Sequence, residues 1–172
     1  DSLLGQRGQG FLVSQTRLSG GRIHHAMRTV GLVKKSFDMM CERVKSRETQ
    51  GELLANKQLV QEKIADSWTE MEQFRLLVLR TAWRIDKYND YRKVRKDISA
   101  VKALMPKVLN QVASRSLQIH GSLGASWELP LAEYVIQSFH MGLADGPTDV
   151  HKVGRDRWSR SRVLGVYSIY DS

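Results

Sequence analysis

Three long apolar stripes, each advancing by three or four residues, constrain this chain more than any other feature. The first holds Ile23, Met27, Val30, Val33, Phe37, Met40 and Val44. The second holds Val60, Ile64, Trp68, Met71, Phe74, Val78, Ala82 and Ile85, and the third Val94, Ile98, Val101, Met105, Val108 and Val112. Such steps keep side chains on one face of an α-helix and would scatter them over both faces of a strand. They predict helices over roughly 20–46, 57–88 and 91–120. At 1.5 Å per residue the second would be about 48 Å long. Each helix has one face to bury, and short connections force neighbours to run antiparallel. A fourth helix is expected from just after Pro130 to about Leu143, and a last one from near Thr148. The expected fold is therefore all-α: an up-down four-helix bundle of long antiparallel helices with a short extra C-terminal helix. Only 3 prolines in 172 residues agree with that reading.

Breaks in the pattern mark the joints. Residues 1–20 are glycine-rich (Gly5, Gly8, Gly10, Gly20) and read as a turn or hairpin leading into the first helix. Gly51 interrupts the pattern between the first two helices, Asn89 and Asp90 supply a turn and cap, and Gly121 and Gly124 stop the third helix. Pro106 lies inside the third helix, where it removes one backbone hydrogen bond and is expected to kink it. Ala144-Asp145-Gly146-Pro147 interrupts the fourth, and an arginine-rich end (Arg155, Arg157, Arg160, Arg162) fades into a tail.

The chain carries a formal net charge of +9 and a pI of about 9.9, which favours anionic partners. The cluster Arg92, Lys93, Arg95 and Lys96 reads as a solvated helix face, because Val94 and Ile98 point elsewhere. No aromatic is interleaved at a stacking period and no DNA-reading motif is present, so nucleic-acid binding is not expected. His24, His25, His120, His140 and His151 include no pair at the i, i+4 spacing of a helical metal site, so no metal is expected. Cys41 is the sole cysteine and reads as a small buried hydrophobe. No segment reaches the roughly 20 apolar residues of a membrane span. The first residues lack an initiator Met and the layout of a signal peptide, so the sequence reads as a fragment or processed product.

Four motifs in order are more informative. Gly8-Gln9-Gly10-Phe11 leads towards Arg22. Arg47-Glu48-Thr49-Gln50-Gly51 ends the first helix and is followed by Gln58. Gln118-Ile119-His120-Gly121-Ser122-Leu123-Gly124 closes the third helix with a turn whose glycines would let a phosphate approach the backbone. Asp145-Gly146-Pro147 sets an acid at a helix break. This order resembles the C-terminal third of acyl-CoA dehydrogenases, over about residues 1–152. In that family Gly-x-Gly-Phe precedes an arginine at a helix start, Arg-x-x-Phe-Gly ends the first helix, Gln-x-x-Gly-Gly-x-Gly follows, and Glu-Gly-Thr or Asp-Gly-Pro carries the base.

The resemblance implies oxidation of an acyl-CoA thioester to its 2,3-enoyl form. A carboxylate takes the α-proton while the β-hydrogen leaves as hydride to FAD. It makes Asp145 the catalytic base, with Arg22 and Gly146 on the substrate side. Members that place the base just before the arginine would have it at Gly21, which carries no acid. The FAD contacts implied are Arg47, Gln50, Gln58, Gln118, Gly121 and Ser122 towards a neighbouring subunit's FAD, and Pro147, Thr148 and Asp149 towards the chain's own flavin. Gln50 stands where the family has an aromatic, Ser122 where it has a second glycine, and Pro147 where the glutamate branch has threonine. The implied partners are acyl-CoA, further subunits in a homodimer or homotetramer (or a hetero-oligomer supplying missing domains), and an electron-transfer protein. The implied location is cytoplasmic, or the mitochondrial matrix in a eukaryote. Residues 1–18 would be a remnant of a preceding β-domain or linker, 19–165 the helical bundle and 166–172 a tail. The alternative is a flavin-free helical subunit that only mediates oligomerisation.

Overall fold

The structure, a computed structural model, describes residues 2–153. Five α-helices and one small hairpin follow each other along the chain: α1 (Gly10–Ser46), β1 (Glu48–Thr49), β2 (Glu52–Leu53), α2 (Gln58–Tyr88), α3 (Tyr91–His120), α4 (Ser122–Ala125) and α5 (Leu131–Leu143). A 3-10 turn at Leu54–Asn56 precedes α2, and a final helical stretch occupies 148–153. The expected all-α up-down bundle is what forms. The arginine-rich end and the tail expected at 166–172 lie outside the described residues.

Helix α3 is the central element, packed against α1, α2 and α5. Cross-helix bonds give the directions. Arg115 pairs with Glu70 while Arg80 pairs with Asp97, so α2 and α3 are antiparallel. Lys102 meets Met141 while Asn110 meets Ser138, so α3 and α5 are antiparallel as well. The core on α3 is the predicted stripe, with Val94, Ile98, Val101, Met105, Val108 and Val112 all buried.

On α1 and α2 the stripes are rotated slightly from the expected ones. Met27 and Trp68 are 42% and 55% exposed, whereas Ala26, Thr29, Ser36, Ser67 and Thr81 are buried. Small side chains take the closest helix–helix approaches and leave the larger ones outside. Burying their hydroxyls is tolerable because Thr29, Ser36 and Thr81 donate to the carbonyls of His25, Leu32 and Leu77, one turn back.

Two further differences concern the joints. Helix α1 starts at Gly10, ten residues earlier than its stripe suggests; of the turn or hairpin expected before it, a turn at residues 5–8 is what forms, with Gly5 and Gly8 at positive φ. Gly20 and Gly21 lie inside the helix, where Tyr91 and Asp145 come close to the space a Cβ would take. The hairpin is instead at 48–53, pairing Glu48 with Leu53 and Thr49 with Glu52. Its two-residue turn, Gln50 (φ 53°) and Gly51 (φ 79°), has the double positive φ that matches strand twist. Asn89, left-handed at φ 44°, ends α2, and the Asp90 carboxylate caps α3 by accepting from Arg92 N at 2.8 Å. Helix α3 runs on through Pro106. No described helix is long and apolar enough to cross a membrane.

Phe74 is fully buried in the core cluster shared by α1, α2, α3 and α5. Phe74→Ala is expected to cost about 3–5 kcal/mol, read as a lower urea midpoint at unchanged m-value.

Candidate active site

Helix α5 stops at Leu143 and the chain reverses through Asp145 (φ 55°) and Gly146 (φ 106°) before turning helical again. A helix end leaves its last carbonyls without intrahelical donors. Here three of the last four find one. His140 O accepts from Ala144 N at 2.9 Å, Met141 O from Lys102 Nζ at 2.6 Å, and Gly142 O from Thr148 Oγ1 at 3.2 Å. The carbonyl of Asp145 accepts from Arg22 Nε at 3.0 Å, with His151 Nε2 at 3.4 Å. The backbone of the break is thus held from α1, from α3 and from the helical stretch after it.

The carboxylate of Asp145 is left free of those bonds and faces α1. Its side chain is 17% exposed, and Oδ2 lies 3.4 Å from His25 Nε2. A Cβ built on Gly21 would fall 2.9 Å from the same oxygen, so the acid fills the space that a side chain at Gly21 would need. His25 Nδ1 is buried with no hydrogen-bond partner among the described residues, while Nε2 faces Asp145.

The surroundings are cationic. Burial pushes the Arg22 guanidinium below its ordinary value, Asp145 raises it and Arg95 lowers it. Lys102, fully buried, is pushed down first by burial, raised by Asp145 and lowered by Arg22. His151 is likewise lowered, mainly by burial; the Asp145 carbonyl opposes this, while Arg22, Lys102 and Arg95 reinforce it. The arrangement presents one recessed carboxylate on a fixed backbone, a suitable geometry for taking a proton from a bound molecule.

The remaining sequence-derived positions fall into two groups. Pro147, Thr148 and Asp149 line an open cavity of about 480 Å³, opposite Pro106 and Asn110 of α3 and Phe139 of α5. They adjoin Asp145 and Gly146 and share one end of the bundle with Arg22. Arg47, Gln50 and Gln58 cluster around the hairpin at the other end; Arg22 and Arg47 are roughly 37 Å apart along α1. Gln118, Gly121 and Ser122 close α3 at that same far end, where a notch joins Arg43 and Ser46 to His120 and Leu123. Gln50 sits exposed at the hairpin tip, within 3.5 Å of Lys57 Nζ. Gly121 is exposed at φ 66°, with open space where a side chain would be. Gly124 is instead a packing residue, since a Cβ there would lie 2.4 Å from Leu117 O.

Sequence reasoning missed His25, Lys102, His151 and Arg43. Lys102 had a signal, because it lies four residues after Ile98 and three before Met105, on the apolar stripe itself. Arg43 lies one turn before Arg47, and its Nε is buried without a partner. No group of three His, Cys, Asp or Glu that could hold a metal occurs among the described residues.

Fold and site together define a helical-bundle domain that offers one recessed acid at an interrupted helix. The chain belongs to the acyl-CoA dehydrogenase family: the family model "Acyl-CoA dehydrogenase, C-terminal domain" matches residues 8–153. It is 38% identical over 163 residues to Probable acyl-CoA dehydrogenase FadE2 of Mycobacterium tuberculosis, covering 94% of this chain and 40% of that protein. It is 41% identical over 149 residues to acyl-CoA dehydrogenase family member 11 of Rattus norvegicus, covering 87% of this chain and 19% of that protein. The solved butyryl-CoA dehydrogenase of Megasphaera elsdenii superposes with a TM-score of 0.83 at 25% identity, covering 91% of this chain and 40% of that one. The chain thus spans well under half the length of these relatives.

Two measurements probe the site's physics. A glycine-to-alanine change inside a helix normally stabilises by roughly 0.5–1 kcal/mol. Gly31→Ala, with nothing within 4 Å of the added methyl, is expected to show that gain, whereas Gly21→Ala is expected to show none because it displaces Asp145 Oδ2. Urea titration of both variants decides it. The lowered value of His151 makes the unfolded chain the better proton binder between the folded value and 6.5. Its contribution is therefore complete above 6.5 and is lost as pH falls through the folded value. Between about pH 7 and pH 5 the melting temperature of His151→Gln is expected to fall less than that of the unaltered protein.

Proposed function

We propose that this domain serves a flavin-dependent acyl-CoA dehydrogenase acting between the α- and β-carbons of an acyl-CoA thioester, with Asp145 as the base. The observation that carries the reading is the recessed Asp145 carboxylate, which meets His25 Nε2 at 3.4 Å through Oδ2 and takes no part in the bonds that Arg22 and His151 make to its backbone carbonyl. A base must be held at one distance from the proton it takes, and a bound backbone with a short side chain provides that. Asp145 takes the α-proton, and a backbone N–H such as its own would stabilise charge developing on the thioester oxygen. Arg22 sets the direction of the acid through the Asp145 carbonyl and lends positive charge beside it.

The residues present fit FAD. The cavity beside the acid is walled by Pro106, Phe139 and Pro147 and edged by Asn110 and Thr148, a largely apolar slot with a few polar groups. At the far end, exposed Arg47 and the partnerless Nε of Arg43 suit phosphate oxygens, and Gln58 and Gln118 offer amides. FAD, when bound, supplies the acceptor for the β-hydrogen. The two groups of residues stand too far apart to serve one cofactor in one chain. This favours a homo-oligomer in which each chain holds its own flavin ring at Pro147–Asp149 and a neighbour's phosphates at Arg47 and Gln118. Leu59, Leu76, Leu79 and Trp83 of α2, exposed by 42–70%, offer apolar surface for such an assembly. An electron-transfer protein would reoxidise the flavin, and the bacterial and mammalian relatives are compatible with a cytoplasmic or mitochondrial-matrix setting.

Asp145→Asn in the FAD-loaded full-length protein is the decisive test. Flavin content and melting temperature are expected to stay near those of the unaltered enzyme, while kcat falls by about 10²–10⁴-fold. Retained turnover would remove Asp145 from the role of base.

A further inference from the structure

Lys102 is the feature the proposed reaction leaves unexplained. It lies on the core face of α3 between Ile98 and Met105, with a relative exposure of 0%. Removing an ammonium from water is costly unless it is bonded and electrically compensated. An apolar side chain would fill this stripe position without that cost. The bond it makes goes to one place: Nζ donates to the carbonyl of Met141 at 2.6 Å, in the last turn of α5. A cation there also meets the negative end of the helix dipole. Asp145 and Arg22 both act on its charge, so it belongs electrically to the acid's surroundings although it does not touch the carboxylate.

We propose that Lys102 is a positioning residue for the dehydrogenation, fixing the last turn of α5 so that Asp145 stands at the right distance from the α-carbon. This rests on the reading of Asp145 as base. The ties at Gly142 O and Asp145 O come from Thr148, Arg22 and His151, which belong to the following stretch or to α1. Lys102 ties a backbone carbonyl of that turn to α3, the helix that packs against the rest of the bundle, whereas Asn110 and Ser99 of α3 reach only side chains, Ser138 and His151. Without it the Met141 carbonyl loses its donor, the last turn of α5 loosens, and the acid four residues on loses its fixed approach. Misplacing a reacting group by about 1 Å costs on the order of 10²-fold in rate. The effect falls on proton abstraction and not on substrate affinity, because Lys102 lies beneath the site.

The test compares FAD-loaded full-length enzyme with Lys102→Met, Lys102→Arg and Asp145→Asn, on butyryl-CoA and longer straight-chain acyl-CoAs, unlabelled and deuterated at the α-carbon. For Lys102→Met, kcat is expected to fall about 10- to 100-fold with KM within about threefold and flavin content unchanged. The α-deuterium isotope effect on kcat should rise, because proton abstraction then limits turnover more strongly. Lys102→Arg should restore part of the rate, since a cationic donor remains. Wild-type kcat in Lys102→Met overturns the proposal. So does a loss that merely follows lost flavin or lost folded protein with an unchanged isotope effect, which would mark Lys102 as structural alone. Should Lys102→Met fail to fold, Lys102→Arg decides: an isotope effect equal to wild type overturns it, and a raised one supports it. If Asp145→Asn retains turnover, the assignment of the base fails. If Asp145→Asn is inactive and Lys102→Met is normal, only the role of Lys102 fails.

Discussion

A helix that ends inside a protein exposes carbonyls that must be given donors, and the end of α5 organises this molecule around that need. Its last turn is met by a backbone N–H, by Thr148 and by a lysine reaching across from α3. The reversal that follows is met by Arg22. Those donors are the reason that positively charged side chains gather around Asp145. They also explain how Asp145 adopts a left-handed backbone conformation, uncommon for a residue with a side chain, without drifting from it.

The bundle supports this joint through its packing. Helix α3 carries an almost unbroken apolar face and contacts every other long helix, so its residues are the least free to move. Arg22 about three turns into α1, Lys102 on α3 and Met141 on α5 are brought to one level by the antiparallel arrangement, although more than a hundred residues separate the first from the last. Small buried residues such as Ala26, Thr29 and Ser36 let α1 approach its neighbours closely.

Much of the fold was legible in the sequence because long stripes determine helices almost alone. The bounds of α2, α3 and α5 match those read from the pattern within a residue or two. The start of α1 was not legible, because Gly20 and Gly21 read locally as a break, and only the distant Asp145 and Tyr91 explain small residues there. The 48–53 hairpin was hidden because two-residue strands are too short to show a period. In the site, Asp145, Arg22 and Gly146 could be named from the motif order, and the structure brings them together. His25 and His151 could not be named, since a lone basic residue looks the same in sequence whether it faces water or a carbonyl; Lys102 was marked only by its place on the apolar stripe of α3. Gly124 was legible as a helix stop; the structure adds that a side chain there would collide with Leu117 O.

The overlap between Gly21 and the Asp145 carboxylate has an evolutionary corollary. Two places on different helices open onto one small volume, and only one of them can be occupied by an acid. A lineage that moved its acid from the α5 break to α1 would have to empty the first position as it filled the second. Either change alone gives a crowded or an acid-less intermediate. The location of the acid should therefore be inherited as a linked pair of residues, stable within a branch and rarely exchanged between branches.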